Sequence, residues 1–425
     1  MTWKTPVRGV ASLLLISLLP AVSLANGEEG KDLDPSESKL DDLESQIKEL
    51  REQQAQGRAE TDQSFDEFDE MIAGITKNLS MEKGGNRKFL LSGYASGGFE
   101  NAEGEDSSFS GQFVPIFLWE LGDNLFFEGE VEFELEGTET AVELEYAQLS
   151  YVLSDSVILG FGRFLNPANP FADRLHPSWI NKLPDSPLAL GPMRIMPFTQ
   201  TGIQVHGGVP VGSQKINYSV YVSNGTSQEE DAGNFGTLAD ENVSDSNNSK
   251  AVGGRLGYFP LPELEIGYSI ELAQVTPSGS ESADADAKIQ SVDLNYVTSA
   301  ANGTLDVRGQ WVFSDVDTVI FDPTGADFGP ATISNNRRDG GYAQCAYRPS
   351  ESNSEILSQL EGVVRYDMVD LPTGAPEGTD QSRWTVGVNF WAAASSVFKL
   401  AYRIDDTSAP GMDSNAVLFQ WAVGL

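Results

Sequence analysis

Five glutamates occupy every second position of the stretch EGEVEFELEG: Glu128, Glu130, Glu132, Glu134 and Glu136. Side chains two residues apart on a β-strand point to the same face, so these carboxylates would form one acidic stripe with a spacing of about 7 Å. Like charges at that spacing repel by roughly 0.6 kcal/mol in water and more strongly in a dry interior. The stripe therefore requires water, either outside a soluble sheet or inside a barrel.

Residues that could support catalysis are few. The chain contains two histidines, His176 and His206, and a single cysteine, Cys345. It has no G-x-S-x-G, no H-E-x-x-H and no cluster of cysteines. A barrel hydrolase that pairs a serine with His206 is an alternative, but we predict no enzymatic activity and no cofactor.

The chain is strongly acidic. Its 425 residues include 63 acidic and 27 basic side chains, a formal net charge of −36. This charge argues against a nucleic-acid partner, because the phosphate backbone would be repelled. Two aspartate pairs could bind Ca²⁺, although solvated loops have the same composition: Asp284 with Asp286, and Asp315 with Asp317.

The N-terminus has the parts of a secretory signal peptide. Lys4 and Arg8 precede a short apolar run, and Ser23-Leu24-Ala25 places small residues before a cleavage site. We predict that residues 1–25 are a signal peptide. No later run of 18 apolar residues occurs in the sequence, so no transmembrane helix is predicted.

Residues 33–83 have a different periodicity from the rest of the chain. Leu40, Leu43, Ile47 and Leu50 occupy the a and d positions of a heptad, which predicts a short coiled coil on the periplasmic side of a membrane. A solvated amphipathic helix and a disordered linker are the alternatives. Two good heptads are too short to hold an assembly in water without other contacts.

From Lys88 onward the chain consists of sixteen segments of alternating polarity, separated by turn residues. Every second connection is short, whereas those between are mostly longer, and the longest are 165–199, 224–248 and 315–338. Short turns on one side and long loops on the other are typical of transmembrane β-barrels. We therefore predict an all-β fold over residues 88–425, a sixteen-stranded antiparallel transmembrane β-barrel with a short N-terminal α-helical (coiled-coil) segment.

The connection 165–199 is rich in proline and apolar residues, unlike the other long loops. We predict that it folds into the barrel and narrows the lumen; the alternatives are a loop that caps the outside or contacts a neighbouring subunit. The residues predicted to form the constriction are Asp173, Arg174, His176, Trp179, Lys182 and Asp185. The lumen is predicted to be lined by the acidic stripe and by six basic residues: Arg255, Arg308, Arg365, Arg383, Lys399 and Arg403.

The signal peptide, the short coiled coil, the sixteen strands and the "GRF" that runs into "NPF" within 162–171 resemble bacterial outer-membrane porins. In layout the chain is similar to the phosphate-selective O and P type. The resemblance implies a homotrimer in outer-membrane lipid that lets small hydrophilic solutes and ions diffuse through each barrel.

The resemblance and the residues differ on ion selectivity. The O and P type implies an anion- or phosphate-selective channel that depends on lumenal arginines and lysines. From Lys88 onward, however, acidic residues outnumber basic ones by more than two to one, which favours a mild preference for cations. An alternative of another class is a structural protein that tethers the outer membrane to the cell wall.

Overall fold

The computed structural model describes residues 88–136, 139–191, 195–228, 238, 243–278, 285–321, 331–333, 336–372, 380–408 and 414–425. The predicted signal peptide (1–25) and the predicted helical segment (33–83) lie outside the described residues. Both therefore stay predictions.

The described chain consists mostly of β-strands. The strands are β1 (Phe89–Ala102), β2 (Ser108–Gly122), β3 (Leu125–Glu136), β4 (Glu139–Ser154), β5 (Val157–Leu165), β6 (Thr199–Val211), β7 (Gln214–Ser223), β8 (Ala251–Leu261), β9 (Leu264–Gln274), β10 (Asp286–Ala300), β11 (Gly303–Val316), β12 (Val319–Phe321), β13 (Ala331–Ile333), β14 (Asn336–Arg348), β15 (Leu360–Asp370), β16 (Gln381–Ala393), β17 (Ser396–Thr407) and β18 (Ser414–Gly424).

Sixteen of these strands form one closed barrel, in which each strand pairs antiparallel with its neighbours in the sequence. The first and last strands pair with each other, with Tyr94 opposite Gly424. This confirms the predicted sixteen-stranded antiparallel barrel. The short strands β12 and β13 form a separate two-stranded sheet in the connection between β11 and β14.

A short helix, α1 (Glu355–Gln359), directly precedes β15. Ser354 caps this helix because its side chain accepts a hydrogen bond from the Leu357 amide, a common device at helix N-termini. Among the described residues, no helix is long and apolar enough to cross a membrane.

The outer surface of the barrel is apolar. On β18, Val417, Phe419 and Trp421 are each 40–41% exposed, whereas the alternating residues Leu418 and Ala422 are buried. Large apolar residues are also exposed on most of the other strands, for example Val386 and Val388 on β16 and Leu400 on β17, and a closed barrel leaves no unpaired edge in contact with lipid. Because this apolar surface surrounds most of the barrel, the barrel is of the outer-membrane kind.

The strand β5 is much shorter than β4, so the chain leaves the barrel wall part of the way along it. Asn166 joins the two ends of the following loop: its side chain donates to the Pro197 carbonyl, at 2.9 Å, and its backbone amide donates to Phe198. We call residues 166–198 the inner loop. A single π-helical turn, Phe171–Leu175, lies near its start.

Apolar residues of the inner loop pack on one side of the barrel interior. They form a buried cluster with inward-facing residues of several strands. The loop residues are Phe171, Leu188, Leu190, Ile195 and Met196, and the strand residues include Tyr221, Ile289, Val312, Tyr342 and Val369. This packing explains why the connection is richer in apolar residues than an exposed loop requires.

Candidate functional site

The first half of the inner loop binds the wall at β9. Arg174 Nη1 donates to both carboxylate oxygens of Glu265, at 2.9 and 3.2 Å, and Arg174 Nε contacts Asp173 at 2.9 Å. Glu265 also accepts from Arg255 at 2.9 Å, and Arg255 binds Asp293 at 2.6 Å. These residues form one network of alternating charges across β8, β9 and β10.

The second half of the loop binds the wall at β15 and β16. Lys182 Nζ contacts Glu361 at 2.7 Å and lies over the ring of Trp391. Further along, Asp185 Oδ2 lies 2.9 Å from Arg365 and 3.1 Å from Arg383. Because Arg365 is fully buried, its charge depends on these carboxylate contacts.

Two further contacts join the loop to the last strands of the barrel. Lys399 on β17 is 1% exposed and donates to the Ser178 carbonyl and to Gln420 Oε1, at 2.5 and 2.7 Å. Trp179 packs against Gly424 on β18, where a Cβ would come within 2.8 Å of the indole ring. Since the loop contacts strands on different sides of the ring, it crosses the interior of the barrel.

A third attachment joins the loop to β1, β3 and β4. His176 Nε2 lies 3.7 Å from Glu130 and 4.0 Å from Glu145, and both carboxylates are buried. The Tyr94 hydroxyl donates to Glu130 at 2.9 Å. Burial lowers the pKa of His176, but its contact with Glu130 and the charge of Glu145 outweigh this effect, so the pKa is raised above its usual value of 6.5.

Tyr94 and Glu145 were absent from the predicted site. Glu145 lies at a β-bulge, because Glu130 pairs with Tyr146 whereas Val131 pairs with Leu144. A bulge places one extra residue in a strand and redirects a side chain. The alternation of Glu143 and Glu145 could have indicated a second acidic face, but the bulge itself has no signal in the sequence.

The acidic stripe on β3 is not uniform. Glu130 is 2% exposed, beneath Tyr94 and His176, whereas Glu132 is partly exposed and Glu134 is exposed. The side chain of Glu136 lies outside the described residues. The glutamates therefore have different access to water, which strict alternation alone did not predict.

All six basic residues predicted to line the lumen contact acceptors. Besides the contacts above, Arg308 binds Asp306 at 2.7 Å, Arg383 and Arg403 both bind Asp405, and Arg403 reaches Glu100 at 2.7 Å. The five arginines are thus paired with carboxylates at the wall, whereas Lys399 is held by carbonyl oxygens and the amide of Gln420.

A cavity of about 370 Å³ lies between the inner loop and the wall formed by β3 to β8. Its strand residues belong mostly to the halves of the strands near the short turns. The lining consists of Glu128, Tyr146, Gln148, Phe164, Leu165, Pro167, Asp173, Arg174, Gln204, His206, Gly207, Asn217, Tyr218, Ser219 and Arg255.

Features of catalytic or metal chemistry are few in the described part of the chain. His206 lies opposite Ser219, but the hydroxyl of Ser219 donates to Gln204 at 3.4 Å. Asp315 contacts Arg337, and Asp317 accepts from the Asp286 amide; Asp284 lies outside the described residues. Within the described ranges, no group of three or more His, Cys, Asp or Glu could hold a metal ion. The absence of enzymatic activity stays a prediction.

Comparison with known proteins gives a fold but no family. No family model matches the chain, and no curated protein matches its sequence. An anion-selective porin from Comamonas acidovorans matches 80% of this chain and 100% of its own, with 10% identity and a TM-score of 0.53.

OmpF of Salmonella typhi, solved in complex with daunomycin, matches 80% of this chain and 98% of its own, with 13% identity and a TM-score of 0.53. The outer-membrane channel DcaP of Acinetobacter baumannii matches 80% of this chain and 97% of its own, with 12% identity and a TM-score of 0.52. The fold is that of an outer-membrane porin. The narrower likeness to the O and P type stays a prediction, because these porin-type barrels share the fold at low identity.

Proposed function

We propose that the protein forms a water-filled channel in the outer membrane, through which small hydrophilic solutes and ions diffuse. The observation that carries this proposal is the barrel's division into an apolar exterior and an interior lined with charged and amide side chains. A barrel of sixteen strands is too wide for its own side chains to fill. The inner loop occupies part of that space and leaves the cavity beside β3 to β8.

The inner loop would act as the constriction of this channel. Support comes from its attachments to the wall, which include those through Arg174, Asp185 and His176. A loop held at several points around a ring has a fixed shape, so the opening beside it would have a fixed size. Trp179, Lys182 and Asp173 would complete its lining together with these residues.

We further propose a mild preference for cations over anions. Five of the six lumenal bases pair with carboxylates, and Glu132 and Glu134 are accessible to solvent. Accessible carboxylates enrich cations near the pore wall over a screening length of about 8 Å at physiological salt. An anion- or phosphate-selective channel is the alternative.

A planar bilayer experiment tests both proposals. We expect the purified protein to give discrete conductance steps, and a KCl gradient to give a reversal potential of the sign for cation selectivity. The preference should increase as the salt is diluted, because screening weakens. A reversal potential of the opposite sign would exclude cation preference, and the absence of any conductance would exclude the channel.

The assembly is proposed as a homotrimer, with the segment 33–83 as an aid to association. Deletion of 33–83 is expected to weaken the trimer on a native gel while the barrel remains heat-modifiable. A deletion variant that forms no barrel would show that this segment is needed for folding itself. A tether to the cell wall would instead be indicated by cofractionation with peptidoglycan that is lost with the segment.

A further inference from the structure

The cavity beneath the inner loop has a mixed lining in which both guanidinium groups are already paired. Arg174 binds Asp173 and Glu265, and Arg255 binds Glu265 and Asp293, at 2.6 to 2.9 Å. Three carboxylates thus face two guanidinium groups. The network therefore has excess negative charge, and Glu128 at the other end of the cavity adds to it.

This charge pattern disfavours an anionic solute. A free carboxylate or phosphate that approaches Arg174 or Arg255 would compete with Glu265, which accepts charge-assisted hydrogen bonds from both guanidinium groups. It would also meet the negative potential of the remaining network. A small dication is disfavoured as well, because the two guanidinium groups belong to the same lining.

The neutral residues of the lining favour hydrogen bonding instead. Gln148, Gln204 and Asn217 each carry an amide, which has two donor hydrogens and two acceptor lone pairs. The contacts that they make, such as Gln204 to Gln148 at 2.5 Å and Asn217 to Glu265 at 3.0 Å, use only part of this capacity. Tyr218 and Ser219 add hydroxyl groups.

An apolar patch completes the lining. Phe164, Leu165 and Pro167, where β5 leads into the inner loop, line the same cavity as the amides. Its volume of about 370 Å³ lies near the lower end of the range for small-molecule sites, roughly 300–1,000 Å³. A ligand for this site should be small, should donate and accept many hydrogen bonds, and should have an apolar face.

We propose that this cavity is a binding site for a neutral polyhydroxylated solute of about monosaccharide size. Hydroxyl groups both donate and accept, so they can complement amides, guanidinium edges and carboxylates in one site. The C–H face of such a solute would lie against Phe164 and Leu165. The inference rests on the proposed channel function, because the solute must reach the cavity through the lumen.

The test is titration of the single-channel current with D-glucose, compared with succinate as a dianion and putrescine as a dication. We expect D-glucose to reduce the current in a saturable manner and to bind more tightly than either ion. Asn217→Leu should raise the half-saturating concentration about fivefold, the effect of one lost hydrogen bond of ~1 kcal/mol. Ser219→Ala removes a single hydroxyl group and should also raise the half-saturating concentration of D-glucose, by a smaller factor.

The matched control is Asn295→Leu. Asn295 also faces the barrel interior, but it lines a neighbouring small pocket that shares Arg174 and Arg255 with the cavity and contains none of its three amides, so this variant should bind D-glucose like the wild type. An intact conductance that D-glucose does not block would overturn the inference and leave the channel in place. Tighter binding of succinate or putrescine would overturn the ligand class, and equal effects of Asn217→Leu and Asn295→Leu would overturn the location. Absence of conductance would instead contradict the proposed function.

Discussion

His176 Nε2 lies 3.7 Å from Glu130 Oε1, which attaches the inner loop to β3. The loop is also held elsewhere on the ring, by Arg174 with Glu265 on β9, by Asp185 with Arg365 on β15 and by the Ser178 carbonyl with Lys399 on β17. Attachments spread around a closed ring restrain a loop against both rotation and translation. The strength of the attachment at His176 depends on pH, because the imidazole carries its charge only when it is protonated.

The first prediction is that this attachment weakens as the pH rises. The groups that face His176 are Glu130 and Glu132 from β3, Glu145 from β4 and Tyr94 from β1. Because the pKa of His176 is raised above 6.5 in the folded state, its contribution to stability is fully present below that pH and is lost as the pH rises through the folded pKa.

Thermal unfolding in detergent, followed by heat-modifiability on gels, measures this effect. As the pH rises from 6 to 9, the unfolding temperature of the wild-type protein is expected to fall relative to that of His176→Gln. The glutamine variant has no charge to lose in this range. Identical pH profiles for the two proteins would show that the histidine contributes no pH-dependent attachment.

The second prediction concerns the buried attachment at Asp185. Asp185→Asn removes the charge that faces Arg365, which is fully buried, and Arg383. We expect a loss of about 1.5–3 kcal/mol in the free energy of unfolding, typical of a hydrogen bond to a charged group. The change would be smaller than for a single isolated pair, because Asp367 also binds Arg365.

Asp315→Asn is the matched control for this change. Asp315 pairs with Arg337 on the surface, where the two side chains are 61% and 70% exposed. Exposed ion pairs of this kind contribute about 0–1 kcal/mol to the free energy of unfolding. Equal losses in the two variants, measured by urea unfolding, would contradict the assignment of Asp185 as an anchor.

The third prediction is that removal of the inner loop widens the channel. Deletion of Asn169–Pro187 should raise the single-channel conductance severalfold, because the deleted residues carry the attachments through Arg174, His176 and Asp185. The barrel should still form, since its strands pair with one another independently of the loop. The control is deletion of Glu105 and Asp106, two exposed residues between β1 and β2, which should leave the conductance at its wild-type value. If deletion of Asn169–Pro187 also left the conductance at that value, the constriction would lie elsewhere.

The fourth prediction separates the glutamates of β3 by their access to water. Glu132→Gln and Glu134→Gln together should shift the reversal potential toward anions by more than Glu130→Gln does, because Glu130 is buried. The effect should diminish at high salt as the charges are screened. A larger shift from Glu130→Gln would mean that the buried carboxylate faces the ion path after all.

The barrel was predictable because its signals are local. Alternation along β18, from Val417 to Trp421, reports which face is apolar, and the lengths of the connections report which end carries the loops. The inner-loop contacts were less accessible to sequence reasoning. The charge pair of Arg255 with Asp293 depends on which strands become close in the barrel, and the place of Glu145 beside His176 follows a bulge whose position no local pattern encodes.

The seam between β1 and β18 has a consequence for the order of assembly. Tyr94 pairs with Gly424, and Leu425 donates to the Gly93 carbonyl at 2.8 Å, so the closing contacts join the two ends of the barrel sequence. Contacts between distant positions form slowly, because a long loop must first be closed. Until they form, β1 and β18 would present unpaired edges, which hydrocarbon does not tolerate. An unclosed intermediate therefore needs a partner that pairs with its edges or keeps it out of the bilayer until β1 and β18 meet.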